Sequence, residues 1–116
     1  MSKSPRQIAD LQLIAYNLHQ LDSFCALFAQ DAQLIDLPSG QIVAEGMAQI
    51  QTMYQQRFDI PELRCRVHSK TDIGDFAIDR ETVYGLPDGP MEIVAMYEVR
   101  DSVIQTVYFI RETHVI

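Results

Sequence analysis

The chain has 116 residues, 47% hydrophobic and 22% charged, a composition that fits one globular domain (1–116) and excludes disorder. Nine basic residues against sixteen acidic ones give a net charge of −7, a field that repels phosphate backbones and anionic lipid, so neither nucleic acid nor a membrane surface is expected as a partner. The polar start and the lack of any apolar run able to span a bilayer point to the cytoplasm, where Cys25 and Cys65 are expected as buried reduced thiols.

Pro5 suits the first turn of a helix, along which Ile8, Leu11, Ile14, Ala15 and Leu18 recur as one apolar stripe. Ala9, Leu13 and Tyr16, with Gln12 at the edge, form a weaker stripe opposite, so both faces of this helix are expected to be covered. A second short helix is expected from about Asp22 through Phe24, Leu27 and Phe28 to Gln30-Asp31. Residues 33–37 read as a first strand, Pro38-Ser39-Gly40 as a turn, residues 41–45 as a second strand, and residues 46–58 as a third helix with Met47, Ile50, Met53 and Tyr54 inward.

Beyond Pro61 the pattern is that of strands. Leu63, Cys65, Val67 and Ser69 alternate with Arg64, Arg66, His68 and Lys70, which predicts an apolar and a basic face. Gly74-Asp75 turns the chain into a strand over residues 76–84, and a Gly/Pro-rich loop over 85–90 precedes a hairpin of residues 91–100 and 103–111. Helices segregated from a curved antiparallel sheet make an α+β fold, with three helices from the N-terminal half on the concave side. The open end of such a cone is a natural pocket.

Three segments carry a resemblance. Phe24-Cys-Ala-Leu-Phe-Ala-Gln-Asp-Ala-Gln-Leu-Ile-Asp36-Leu-Pro-Ser-Gly40 is similar to the ALFAxDAxxxDxxxG run of NTF2-like (SnoaL-like) proteins. Ala44-Glu45-Gly46 resembles the segment that leads into that family's third helix, and Tyr97 to Gln105 resembles its YEVxDGxI hairpin, with Ser102 where glycine is usual. The resemblance implies a cystatin-like cone and homodimerisation through the outer sheet face. It does not choose a function, because the superfamily holds isomerases, dehydratases, cyclases, hydrolases and plain binding domains.

Ketosteroid isomerases are the best-known catalytic relatives, with an Asp base and an oxyanion site made by a Tyr and a protonated Asp. By that resemblance Asp36 falls at the base. Gap-free counting puts Gln12 at the tyrosine position, with Tyr16 one helical turn away, and Ala95 at the position of the acid, so the oxyanion acid is missing.

Asp36 admits two readings, a general base or ligand anchor at the pocket mouth and a turn-capping residue before Pro38. Glu81 is a second candidate pocket carboxylate, although Asp79-Arg80-Glu81 also suits cross-strand ion pairs with the basic stripe. The register taken from the resemblance turns Ile93, Ala95, Tyr97, Val107, Phe109 and Arg111 inward. Tyr97 could donate to a ligand, and Arg111 could hold a carboxylate or pair with Asp36 or Glu81. Tyr54 suits either the pocket or the core. His19, His68 and His114 lack ligand spacing and no glycine-rich phosphate loop occurs, so no metal or cofactor is expected. Three functions fit: proton transfer on a small apolar carbonyl compound, capture of a small hydrophobic ligand without catalysis, and a dimeric interaction domain.

Overall fold

The computed structural model describes residues 2–112; His114 lies outside them. Helices α1 (Pro5–Asn17), α2 (Leu21–Cys25) and α3 (Met47–Phe58) cover one face of a curved six-stranded sheet. Its strands are β1 (Phe28–Leu37), β2 (Ile42–Glu45), β3 (Arg64–Ile73), β4 (Phe76–Tyr84), β5 (Met91–Arg100) and β6 (Val103–Arg111), in the order β2-β1-β6-β5-β4-β3. The fold is α+β as expected, but the sheet is mixed rather than antiparallel, because β1 runs parallel to β6 while every other pair is antiparallel. Pairing across about 75 residues leaves no local signal in either strand.

The helix expected to reach residue 30 stops at Cys25, and β1 begins at Phe28. The spacing of Phe24, Leu27 and Phe28 suits a helix, yet the Ile104 amide donates to the Leu27 carbonyl at 2.8 Å and draws this segment into the sheet. Tertiary pairing overrides local propensity here.

α1 starts at a capping box, in which Ser4 accepts from the Gln7 amide and the Gln7 side chain accepts from the Ser4 amide. The stripe expected to be weaker faces the core: Ala9, Gln12 and Tyr16 are buried together with Ile8 and Ala15. Leu11, Ile14 and Leu18 are exposed, so only one side of α1 is covered among the described residues. Ile8, Phe24, Leu34, Ile50 and Ile104, each at most 1% exposed, lie in one continuous cluster joining the helical layer to the sheet.

The strict alternation expected in β3 breaks at His68. Val67 pairs with Glu81 but Ser69 with Arg80, so one extra residue bulges out. A bulge reverses the faces of every residue beyond it. Lys70 and Asp72 therefore share the helical side, where Lys70 contacts Asp10 at 3.0 Å and Asp72 contacts Arg6 at 2.8 Å. The basic face ends at His68, whose Nε2 lies 2.6 Å from the Thr82 hydroxyl on the outer side.

Candidate functional site

A cavity of about 280 Å³ lies between the helices and the sheet. Gln12 and Tyr16 of α1 and Met53, Tyr54 and Arg57 of α3 form one wall. The other is made by Val43, Cys65, Glu81, Val83, Ile93, Tyr97, Phe109 and Arg111, one or two from each strand except β1. Of the residues singled out from sequence, Gln12, Tyr16, Tyr54, Glu81, Tyr97, Phe109 and Arg111 all line this space. They converge because period-two alternation turns Glu81, Tyr97, Phe109 and Arg111 to the helical side, while helical spacing puts Gln12 and Tyr16 one turn apart.

Asp36 does not line the cavity. It sits in the adjoining groove with Leu37, Pro38 and Ser39, where both its carboxylate oxygens accept from Arg111 Nη2 at 2.5 Å. Parallel pairing of β1 with β6 sets Asp36 beside Phe109, within reach of Arg111. The turn after Asp36 is closed by backbone instead: the Gly40 amide donates to the Asp36 carbonyl at 2.7 Å. Arg111 therefore bridges cavity and groove, with its charge met by Asp36.

The neighbours of Glu81 divide. Arg80 projects to the outer face and pairs with Glu92 at 2.8 Å, and Thr82 also donates to Glu92. Asp79 projects inward and is held by Arg6 of α1 at 2.6 Å, not by the basic residues of β3. Burial pushes the Asp79 carboxyl up and Arg6 opposes it.

Glu81 is 5% exposed and has no cationic partner among the described residues. Its hydrogen bond comes from the Cys65 thiol, which donates to Oε2 at 3.2 Å. Burial raises its pKa from 4.5 to about 7; the thiol bond lowers it and the Asp79 charge adds to the rise. Cys65 is a fixed donor: burial and the charge of Glu81 hold its thiol far above the usual range, so it stays protonated. Asn17 locks it in place, its side-chain amide donating to the Cys65 carbonyl at 2.9 Å and accepting from the Cys65 amide at 2.7 Å. Both cysteines are free and buried.

The phenols define the rest of the cavity. Tyr16 is 6% exposed, and its hydroxyl is buried without a hydrogen-bond partner among the described residues. Burial pushes its pKa up to about 12, partly offset by the nearby Arg57 guanidinium. Tyr54 and Tyr97 are raised as well, by burial first and by the charge of Glu81 among the further causes. All three are donors at neutral pH. Tyr16, Phe24, Tyr54 and Phe58 pack edge-on or tilted, with ring centroids 4.4–6.3 Å apart, and close the cavity against the helices.

Arg57 and Cys65 were not among the expected site residues. Arg57 lies three residues after Tyr54 and four after Met53, so helical spacing continues the stripe drawn for α3 to its position, where a charged residue gave no signal of facing inward. Cys65 lay on the inward face of its strand, but its diagonal proximity to Glu81 depends on the β3–β4 register. Among the described residues no three His, Cys, Asp or Glu side chains cluster as metal ligands would.

None of the curated proteins matches the chain. Solved structures do. An uncharacterised cystatin-fold protein from Novosphingobium aromaticivorans is 24% identical, with a TM-score of 0.85 over 95% of this chain and 100% of the other. A candidate ketosteroid isomerase from Kribbella flavida is 19% identical, with a TM-score of 0.80 over 97% and 80% of the two chains. A candidate polyketide cyclase from Sinorhizobium meliloti is 21% identical, with a TM-score of 0.77 over 89% and 93%. At these identities the likeness shows the fold alone, the NTF2-like cystatin fold. The SnoaL-like domain family matches residues 11–107, most of the chain, and the protein belongs to that family.

Proposed function

We propose that the protein is an enzyme of the isomerase or cyclase type that moves a proton on a small, mostly apolar carbonyl compound. The observation that carries this reading is Glu81, a buried carboxyl with a pKa of about 7, facing a cavity that also holds an unpartnered phenol. A base poised near the working pH combines a large ionised fraction with useful basicity. The family membership and the structural likeness to isomerase and cyclase candidates support the same reaction class.

In this reading ionised Glu81 removes a proton from the carbon next to the substrate carbonyl. The C–H electron pair forms the C=C bond of an enolate, and the carbonyl π pair moves to oxygen. Tyr16 donates its hydroxyl hydrogen to that oxygen, since a fixed donor in a partly desolvated site stabilises developing charge more than it would in bulk water. Protonated Glu81 then returns the proton to another carbon of the enolate, which isomerises the substrate. In a cyclisation the enolate carbon instead attacks a second carbonyl of the same molecule, whose oxygen takes the proton. Tyr97 and Gln12 orient the substrate, and Asp36 fixes Arg111 at the mouth rather than acting as the base.

The test is exchange of α-protons into D2O, followed by NMR on a panel of small cyclic and aryl ketones. Wild-type protein should accelerate exchange for at least one ketone, and Glu81→Gln should lower that rate roughly 100-fold or more. Asp36→Asn should leave the pH at which the rate levels off unchanged, because Asp36 holds Arg111 and does not take the proton. Exchange surviving intact in Glu81→Gln would overturn it.

We also infer that the protein forms a homodimer through the outer sheet face. Val94, Met96, Tyr108 and Ile110 make an apolar centre there, flanked by the Arg80–Glu92 and Glu98–Arg100 pairs. An apolar centre with a charged rim is the usual anatomy of such an interface.

A further inference from the structure

We infer that the natural substrate carries a carboxylate and that Arg57 receives it, so the site acts on small oxo acids rather than on neutral ketones. This rests on the reading of the cavity as a proton-transfer site and names the compound that enters it.

The argument begins with how the cavity's charges are met. Two arginines line it. Arg111 is committed to Asp36 through both carboxylate oxygens. Arg57 forms no ion pair among the described residues, and the one side chain its guanidinium approaches as a donor is Tyr16. Its position in the last turn of α3 complements the helix dipole, which accounts for a cation there but not for what lies beside it. That neighbour is the Tyr16 hydroxyl, whose buried oxygen lies beside the guanidinium and whose own hydrogen has no acceptor among the described residues.

The phenol oxygen can accept one guanidinium N–H, but the phenol hydrogen and the remaining guanidinium donors facing the same space still call for an acceptor. Among the described residues the one carboxylate lining the cavity, Glu81, is bonded by Cys65 and not by either of them. A substrate carboxylate satisfies Arg57 by two parallel N–H···O bonds, a geometry that a planar guanidinium is shaped for. It also places the adjoining carbonyl oxygen near Tyr16, since in a 2-oxo or 3-oxo acid the two groups are at most one carbon apart. On a chain of net charge −7 the long-range field works against an anion. A local, partly desolvated cation is what such a ligand needs.

The test uses two unreactive probes of nearly one shape, cyclohexanecarboxylate and cyclohexanecarboxamide, titrated calorimetrically into wild-type protein, Arg57→Gln and Arg57→Lys. Wild type should bind the carboxylate about 10-fold or more tighter than the amide, as a charge-assisted bond implies. Arg57→Gln should lose that preference, and Arg57→Lys should keep part of it. Thermal melting of each variant checks that it is folded. Failure of wild type to bind the carboxylate, or a preference that survives in Arg57→Gln, would overturn the assignment. The two readings fail separately. Glu81-dependent exchange of neutral ketones without carboxylate preference would leave proton transfer standing and remove the oxo acid. An Arg57-dependent preference with no α-exchange would keep the anion site and remove the chemistry.

Discussion

At the scale of single residues the protein maintains a costly state at Glu81. Its pKa in the fold, about 7, lies above the ordinary 4.5, so between those values the folded protein holds a proton that the unfolded chain releases. Stability contributed by the neutral carboxyl is fully present below about pH 4.5 and is lost as pH rises through about 7. Glu81→Gln keeps the shape without the charge. It should be more stable than wild type at pH 8, by on the order of 1–3 kcal/mol, and nearly equal to it at pH 4.5. Thermal denaturation at the two values reads the difference, and an equal offset at both would remove the strained carboxylate from the account. Such a trade of stability for a functional group is expected at a working site. Glu81 was legible in the sequence only as a charge in mid-strand. Alternation put it on one face with Asp79 and opposite Arg80, but neither which face is inward nor its isolation from cations followed, because the latter depends on Arg6 and Arg80 going elsewhere.

At the scale of elements the arrangement depends on two features that no local pattern announces. One is the bulge at His68, which turns Lys70 and Asp72 toward α1 and builds, with Arg6, Asp10 and Asp79, a charged clamp between helix and sheet. Asp79 is 1% exposed and depends on Arg6 for its charge. Arg6→Met should therefore cost roughly 3 kcal/mol, seen as a lower urea midpoint, and adding Asp79→Leu should recover most of it. A double variant no more stable than Arg6→Met would count against a buried charge as the cause. The other feature is the parallel β1–β6 pairing, which brings Asp36 to Arg111. What was legible is consistent with this: the inward stripe of α3 is a local, period-driven property, while alternation in β4, β5 and β6 grouped residues by face and the family resemblance chose the inward face of β5 and β6. In α1 two stripes competed, and the aromatic packing of Tyr16 against Phe58 and Tyr54 decided between them.

At the scale of the whole molecule the curved sheet offers a lined cavity on one side and an apolar face on the other. With the basic stripe of β3 ended by its bulge, the apolar centre rather than charge pairing should hold two copies together. Light scattering should give twice the 13.3 kDa chain mass at low and high salt alike, and Met96→Lys should give a monomer. A monomer in wild type at every salt concentration would end the dimer proposal. Among the described residues no helix is long and apolar enough to cross a membrane. The central claim is that the cavity works through a carboxylate poised near neutrality, and the pH profile of α-proton exchange tests it most directly. The rate should climb with pH, level off above about 7 as Glu81 ionises, and vanish in Glu81→Gln. A profile that levels off near 4.5, or one that Glu81→Gln leaves in place, would contradict it.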